Sequence, residues 1–359
     1  MVEYLIFPLK KSIILEYVQS AELIKFLLIP FVCFWIYGFP DGIGLVELLS
    51  GFAVPAFFVL SGYFTLAGDE KERGERLKRT IIRDAIFFGI LFFIYIAINL
   101  LVPLFRNDLS ISMLLNKRLW FSFLVLNFWP LNVGESIWFI QSLLYANIIL
   151  YFANKLHLLR FYKIFLVILV IVMLLSGELA GVIGFSFLGY AYIPGGFLTR
   201  ALPYLLLGML IQEKYDSLKK IPFWVYLIIF VLGGGLVVGE YYLLFKIGKL
   251  VYISHMFGYM VMSIAVCGLM IAWDNMPINP ISYYGGRCAK IVYAIHNPLF
   301  FFIYLMVIIN NPEHVDSFLL FAGCIVYVAS LIISIIISLI IPVRVDREIT
   351  PEDLIEDDL

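Results

Sequence analysis

Residues 317–343 read SFLLFAGCIVYVASLIISIIISLIIPV, a run with no charged side chain from end to end. About 20 apolar residues rising 1.5 Å each cross the hydrocarbon of a bilayer, so this run is long enough to span one. Nine more segments qualify: 20–38, 46–67, 85–104, 137–157, 161–176, 198–213, 222–243, 251–273 and 290–310. The segments 161–176 and 198–213 are short. Hydrophobic residues make up 63% of the 359-residue chain, charged residues 14%, and the mean hydropathy is +0.99. No soluble fold of this length hides so much apolar surface, so lipid must be part of the solvent. The expected fold class is therefore all-α, a polytopic membrane bundle of about ten transmembrane helices over 20–343. Residues 1–19 read as a cytoplasmic or interfacial lead-in and 344–359 as an acidic cytoplasmic tail.

The basic residues orient this bundle. With the N-terminus inside, the cytoplasmic side holds 18 Lys and Arg, six of them within 69–84, and the outer side holds 6. That asymmetry places both termini in the cytoplasm. The net charge of −1 gives no reason to expect a nucleic-acid partner. Cys33, Cys267, Cys288 and Cys324 show no CxxC spacing, which suggests neither a disulfide framework nor a metal site. The first 19 residues lack the order of a signal peptide. No internal repeat is visible, which disfavours a small-molecule carrier built from repeated halves.

Two outer segments exceed a tight turn. Residues 105–136 carry Trp120, Phe121, Phe123, Phe128 and Trp129, and 177–197 carry six glycines with Tyr190 and Tyr192. Each reads as an interfacial aromatic belt, or as a lid or sugar-stacking surface.

Polar residues inside a membrane are costly and mark candidate sites. Glu22 and Lys25 share a helix face near the inner end of the first span, as a structural pair or as a charged lip on a cavity. Pro30 is expected to kink that span. The run DEKERGERLKRTIIRD, 69–84, reads as a charged cytoplasmic loop or solvated helix end. Its Arg76, Arg79 and Arg83 are candidates to attract a polyphosphorylated nucleotide. His296, just inside the ninth span, is either a satisfied neutral side chain or a functional one. Arg200, Glu240 and His255 lie near outer span ends, where interface-facing side chains explain them. Gly233, Gly234 and Gly235 should loosen or break the seventh span. Ser61 and Gly62 should allow close helix packing.

Five ordered phrases carry a resemblance: VPAFFVLSGYF (54–64), the basic Arg76 to Arg83, Trp138-Phe139-Ile140 with Leu143 and Leu144, RALPYLLLGM (200–209), and GRCAKIVYAIHNP (286–298). Along most of its length the chain resembles the acyltransferase 3 family of integral membrane proteins. The resemblance implies an O-acyltransferase that moves an acyl group, most often acetyl, from acetyl-CoA to a hydroxyl of a cell-surface polysaccharide or lipid-linked glycan. It implies a bacterial inner-membrane location, with lipids, a glycan acceptor and polysaccharide-synthesis machinery as partners. Arg76, Arg79 and Arg83 would contact the CoA phosphates, and Arg200 and Trp138 would line the acceptor side.

One departure stands out. Family members carry an arginine in the first span and a catalytic histidine eleven positions on. The register that best suits the following Phe57–Gly62 phrase puts Glu22 and Cys33 at those places, a shift to Lys25 puts Ile36 at the histidine's place, and neither gives a histidine. Gln141 replaces a residue often basic in relatives. His296 could supply the base from another helix, or Cys33 could carry an acyl thioester. The alternative is a degenerate relative that acts in exopolysaccharide export.

Overall fold

The computed structural model describes residues 19–106, 117–127, 129, 136–177, 179–184, 196–250, 255–273 and 280–340. The tail 344–359, the lead-in except Gln19, Phe128, Gly189, Gly195, Tyr190 and Tyr192 lie outside them. No strand occurs among the described residues. The helices are α1 (Gln19–Tyr37), α2 (Leu45–Ser50), α3 (Ala53–Thr65), α4 (Glu70–Arg106), α5 (Lys117–Leu126), α6 (Ile137–Lys155) and α7 (Tyr162–Ser176). They continue with α8 (Leu202–Glu213), α9 (Phe223–Lys246), α10 (Phe257–Ala272), α11 (Pro280–Asn310) and α12 (Val315–Ile340). Eight stretches among the described residues are long and apolar enough to cross a membrane. The expected spans 198–213 and 251–273 are represented by the shorter α8 and α10. A helix satisfies its own backbone groups internally, which is why apolar segments in lipid take this form.

The charged run 69–84 is no loop. It forms the opening turns of α4, a 37-residue helix continuous into the third span. Acidic residues in its first turn favour the helix dipole, and Glu72–Arg76 and Glu75–Arg79 are spaced i,i+4. The second span, by contrast, breaks into α2 and α3. At the break, a Cβ on Gly51 would lie 2.5 Å from the Tyr259 hydroxyl, so the backbone there is pressed against α10. The glycine triplet does not break α9. Gly233 instead lets α9 approach α10, where a Cβ would meet the Met262 backbone nitrogen at 3.0 Å. Pro30 lies within α1, which runs through it. The described aromatics of 117–129 divide between surface and core, with Phe121 64% exposed. Phe123 and Trp129 are buried, with ring centroids 5.1 Å apart, and Trp129 lies 5.9 Å from Phe92 of α4.

Paired residues fix relative directions. Glu22 lies on Gly286 and Tyr37 stacks on Phe300, so α1 and α11 run the same way. Asn154 Nδ2 donates to the Glu70 carbonyl at 2.8 Å, and Ser136 lies 3.3 Å from the Tyr95 hydroxyl, so α6 runs against α4. One end of the bundle thus gathers Glu22, the arginines of α4 and the end of α6. The other gathers Tyr37, α2 and the starts of α6 and α10. At this second end Asp41 accepts from the backbone N–H groups of Ile43, Gly44 and Val46 at 3.1, 2.7 and 2.6 Å. The Val46 bond above all holds its carboxyl below the ordinary value of 3.8.

Helices α3 and α8 meet backbone to backbone. A Cβ on Gly62 would overlap the Leu205 carbonyl, and one on Gly208 would overlap that of Val59. Small residues permit such contact where lipid offers no hydrophobic drive. Gly208→Ala should cost about 1–3 kcal/mol through overpacking. Gly235→Ala, which enters open space in α9, should gain up to about 1 kcal/mol of helix propensity. Melting temperatures in detergent check both; equal shifts would contradict the close approach.

Candidate active site

At 100° per residue, Arg73, Arg76, Arg79 and Arg83 fall within about one third of the circumference of α4. Arg73 and Arg76 brace the end of α3. Arg73 donates to the carbonyls of Leu66 at 3.2 Å and Gly68 at 3.0 Å, and Arg76 donates to that of Phe64 at 3.3 Å. Arg79 is exposed. Arg83 donates through Nε and Nη2 to Asp84 Oδ1, both at 3.2 Å. Asp84 is only 3% exposed, and its other oxygen accepts from Asn147 Nδ2 at 3.2 Å.

Glu22 and Lys25 join this end as a pair at 2.5 Å, with Lys25 Nζ 5.7 Å from the centre of the Phe64 ring. The Glu22 carboxylate lies so close over Gly286 that a Cβ there would overlap it. Lys290, one turn further along α11, is an electrostatic neighbour of Lys25, Arg83, Glu22 and Asp84. From Arg76 onward, cations outnumber these two carboxylates. The arrangement can hold a multiply charged anion.

His296 sits deeper in the same helix. Ten residues separate it from Gly286, about 15 Å at 1.5 Å each. It is wholly buried, and its ring centre lies 5.9 Å from those of Tyr37 and Tyr293. Nδ1 lies 3.0 Å from the Val292 carbonyl. A carbonyl oxygen only accepts, so Nδ1 carries the proton, and in the neutral ring Nε2 keeps its lone pair. Nε2 has no hydrogen-bond partner among the described residues. Nε2 is thus left with a lone pair that can accept a proton.

At the opposite end, Arg200 projects from a π-helical turn, Phe197–Ala201, that leads into α8. Its guanidinium lies 4.9 Å from the centre of the Trp138 ring, a cation–π contact between residues far apart in sequence. Tyr204 and Tyr259 are its electrostatic neighbours. Arg200 and His255 are buried, 6% and 1% exposed, and do not face the interface as expected. The π turn carries Arg200 inward, and His255 is pressed against Gly177.

The expected residues therefore separate into three places. Arg76, Arg79, Arg83 and Glu22 share one end, Arg200 and Trp138 the other, and His296 lies about 15 Å along α11 from Gly286, beside Tyr37. Glu22 stands about three helical turns from His296. Cys33 is fully buried in the core, an electrostatic neighbour of Tyr327 on α12. Among the described residues, no neighbour is in place to activate a thiol there. Gln141 is also buried, donating to the Phe123 carbonyl at 2.8 Å and to the Tyr145 hydroxyl at 3.1 Å. Sequence reasoning passed over Asp84 and Asn147. The signal was present as an asparagine in an apolar span and an acid at the edge of another, but only the fold pairs them.

A family profile described as an acyltransferase domain matches residues 18–341. The chain belongs to the acyltransferase 3 family. No curated protein and no solved structure matches it. The acyltransferase is a multi-pass integral membrane protein, and the segments 54–64, 138–144, 200–209 and 286–298 all fall within the matched residues.

Asp84 gives the sharpest structural test of the charged end. Asp84→Leu leaves buried Asn147 without its acceptor and should cost about 1–3 kcal/mol. Asp84→Asn keeps an acceptor oxygen and should cost less. Thermal unfolding in detergent compares the two, and equal losses would show that the Asn147 bond contributes nothing.

Proposed function

We propose that this membrane acyltransferase moves an acetyl group from acetyl-CoA to a hydroxyl of a cell-surface polysaccharide or lipid-linked glycan, as an O-acyltransferase of the bacterial inner membrane. The observation that carries the reading is a buried imidazole nitrogen, without a partner among the described residues, about 15 Å along α11 from a cationic end. The cationic end suits the CoA phosphates and, by the excess of Lys and Arg there, the cytoplasm. Arg79 and Arg83 would hold phosphate, with Lys25 and Lys290 adding positive potential. The 15 Å or so from Gly286 to His296 suits the length of a pantetheine arm laid along α11.

Acetyl-CoA supplies the activated acyl group as a thioester. His296 Nε2 takes the proton of the acceptor hydroxyl. That oxygen bonds to the acyl carbon, the carbon–sulfur bond breaks, and the proton passes from Nε2 to the departing sulfur. Arg200 and Trp138 stand at the acceptor end, where polysaccharide-synthesis machinery would deliver the glycan.

Calorimetry with purified protein tests the donor half. Arg79→Ala should weaken acetyl-CoA binding by about tenfold, while desacetyl-CoA binds the native protein comparably. His296→Ala should keep acetyl-CoA binding and lose transfer by roughly 10²–10⁴-fold. Full activity in that variant would remove His296 from the mechanism.

A further inference from the structure

A cavity of about 380 Å³ opens at the end of α1. Tyr37 and Phe39 line it with Glu47 of α2 and Leu319 and Leu320 of α12. Its volume lies in the range of small-molecule sites, roughly 300–1,000 Å³. The lining is built rather than accidental. Gly38, at φ +83°, turns the chain out of α1, and a Cβ there would lie 3.8 Å from Glu47 Oε2, so the carboxylate leans over the turn. The Asp41 carboxylate, bonded to three backbone N–H groups, fixes the start of α2 and so the place of Glu47.

Tyr37 belongs to two neighbourhoods. It lines the cavity, stacks on Phe300 at 4.5 Å, and packs against His296 in a T-shaped arrangement at 5.9 Å. Behind it lies His296, whose Nε2 has no hydrogen-bond partner among the described residues. We propose that this cavity is the acceptor subsite, that it takes a neutral sugar ring, and that Tyr37 is the gate between that ring and His296. The proposal rests on the glycan-acylation reading above. Two aromatic side chains offer faces for the C–H side of a sugar, and the Glu47 carboxylate accepts its hydroxyls. The same carboxylate repels phosphate, so the cavity discriminates against the donor. Rotation of Tyr37 away from Phe300 would bring a bound hydroxyl to Nε2.

Binding is measured by calorimetry in nanodiscs with two neutral probes, maltotriose and tri-N-acetylchitotriose. One of them should bind saturably. Leu320→Trp, which fills the cavity, should weaken that binding by about tenfold or more, and Glu47→Gln by about threefold or more. Acetyl-CoA binding and melting temperature should stay unchanged in both variants. Absence of binding by either sugar to the native protein, or native affinity in Leu320→Trp and Glu47→Gln, overturns the proposal. Sugar binding that Leu320→Trp abolishes, in a protein that never binds acetyl-CoA, supports the cavity and sinks the donor reading, so the two fail separately.

Discussion

Hydrocarbon cannot hydrogen-bond, and that constraint governs this molecule. Every buried polar group must find its partner inside the bundle or stand at one of its ends. The bond from Asn147 to Asp84 is the clearest instance, since it joins α6 to α4 and leaves the Asp84 carboxylate compensated where water scarcely reaches. Asn154 repeats the device two turns away by donating to the Glu70 carbonyl. The arginines of α4 then project from a helix already anchored on α6. Where no polar partner is available, contact comes from small residues, as at Gly62 and Gly208.

The same constraint separates the chemistry into two ends. Cations collect around Glu22 and Asp84, and aromatics and buried ionisable groups collect around Arg200 and Tyr37. A side chain that breaks the rule is informative because it costs stability. His296 is such a side chain: its Nδ1 is held by Val292, and Nε2 is left bare among the described residues. On the reading proposed above that exception is the base, and Tyr37 lies between it and the cavity beside α2.

Much of the architecture was legible in the sequence because the period and length of apolar runs report directly on helices in lipid. The positions of the spans emerge close to those expected, from α1 through α12. Interruptions were harder to read. The break at Gly51 depends on Tyr259, more than 200 residues away, and the persistence of α9 through Gly233–Gly235 depends on packing against α10. Of the candidate site, Arg76, Arg79 and Arg83 were singled out by charge, and Arg200 and Trp138 by the resemblance. Their partnerships did not, since Arg200 meets Trp138, and Asp84 meets Asn147, only through tertiary contact. Cys33 is buried in the core beside Tyr327, a placement that its sequence neighbours did not announce.

The claim on which the account stands is that the donor enters from the end carrying the α4 arginines. Sealed proteoliposomes of Lys220→Cys protein test it most directly. Lys220 is exposed and lies in the connection that follows Glu213, on the same end as Arg73 and Tyr162. An impermeant maleimide reports which end faces outward in each orientation-sorted preparation, and radiolabelled acetyl-CoA is added outside only. Saturable binding confined to vesicles whose introduced thiol is labelled from outside is the predicted result. Binding confined to vesicles in which that thiol is protected would contradict the account.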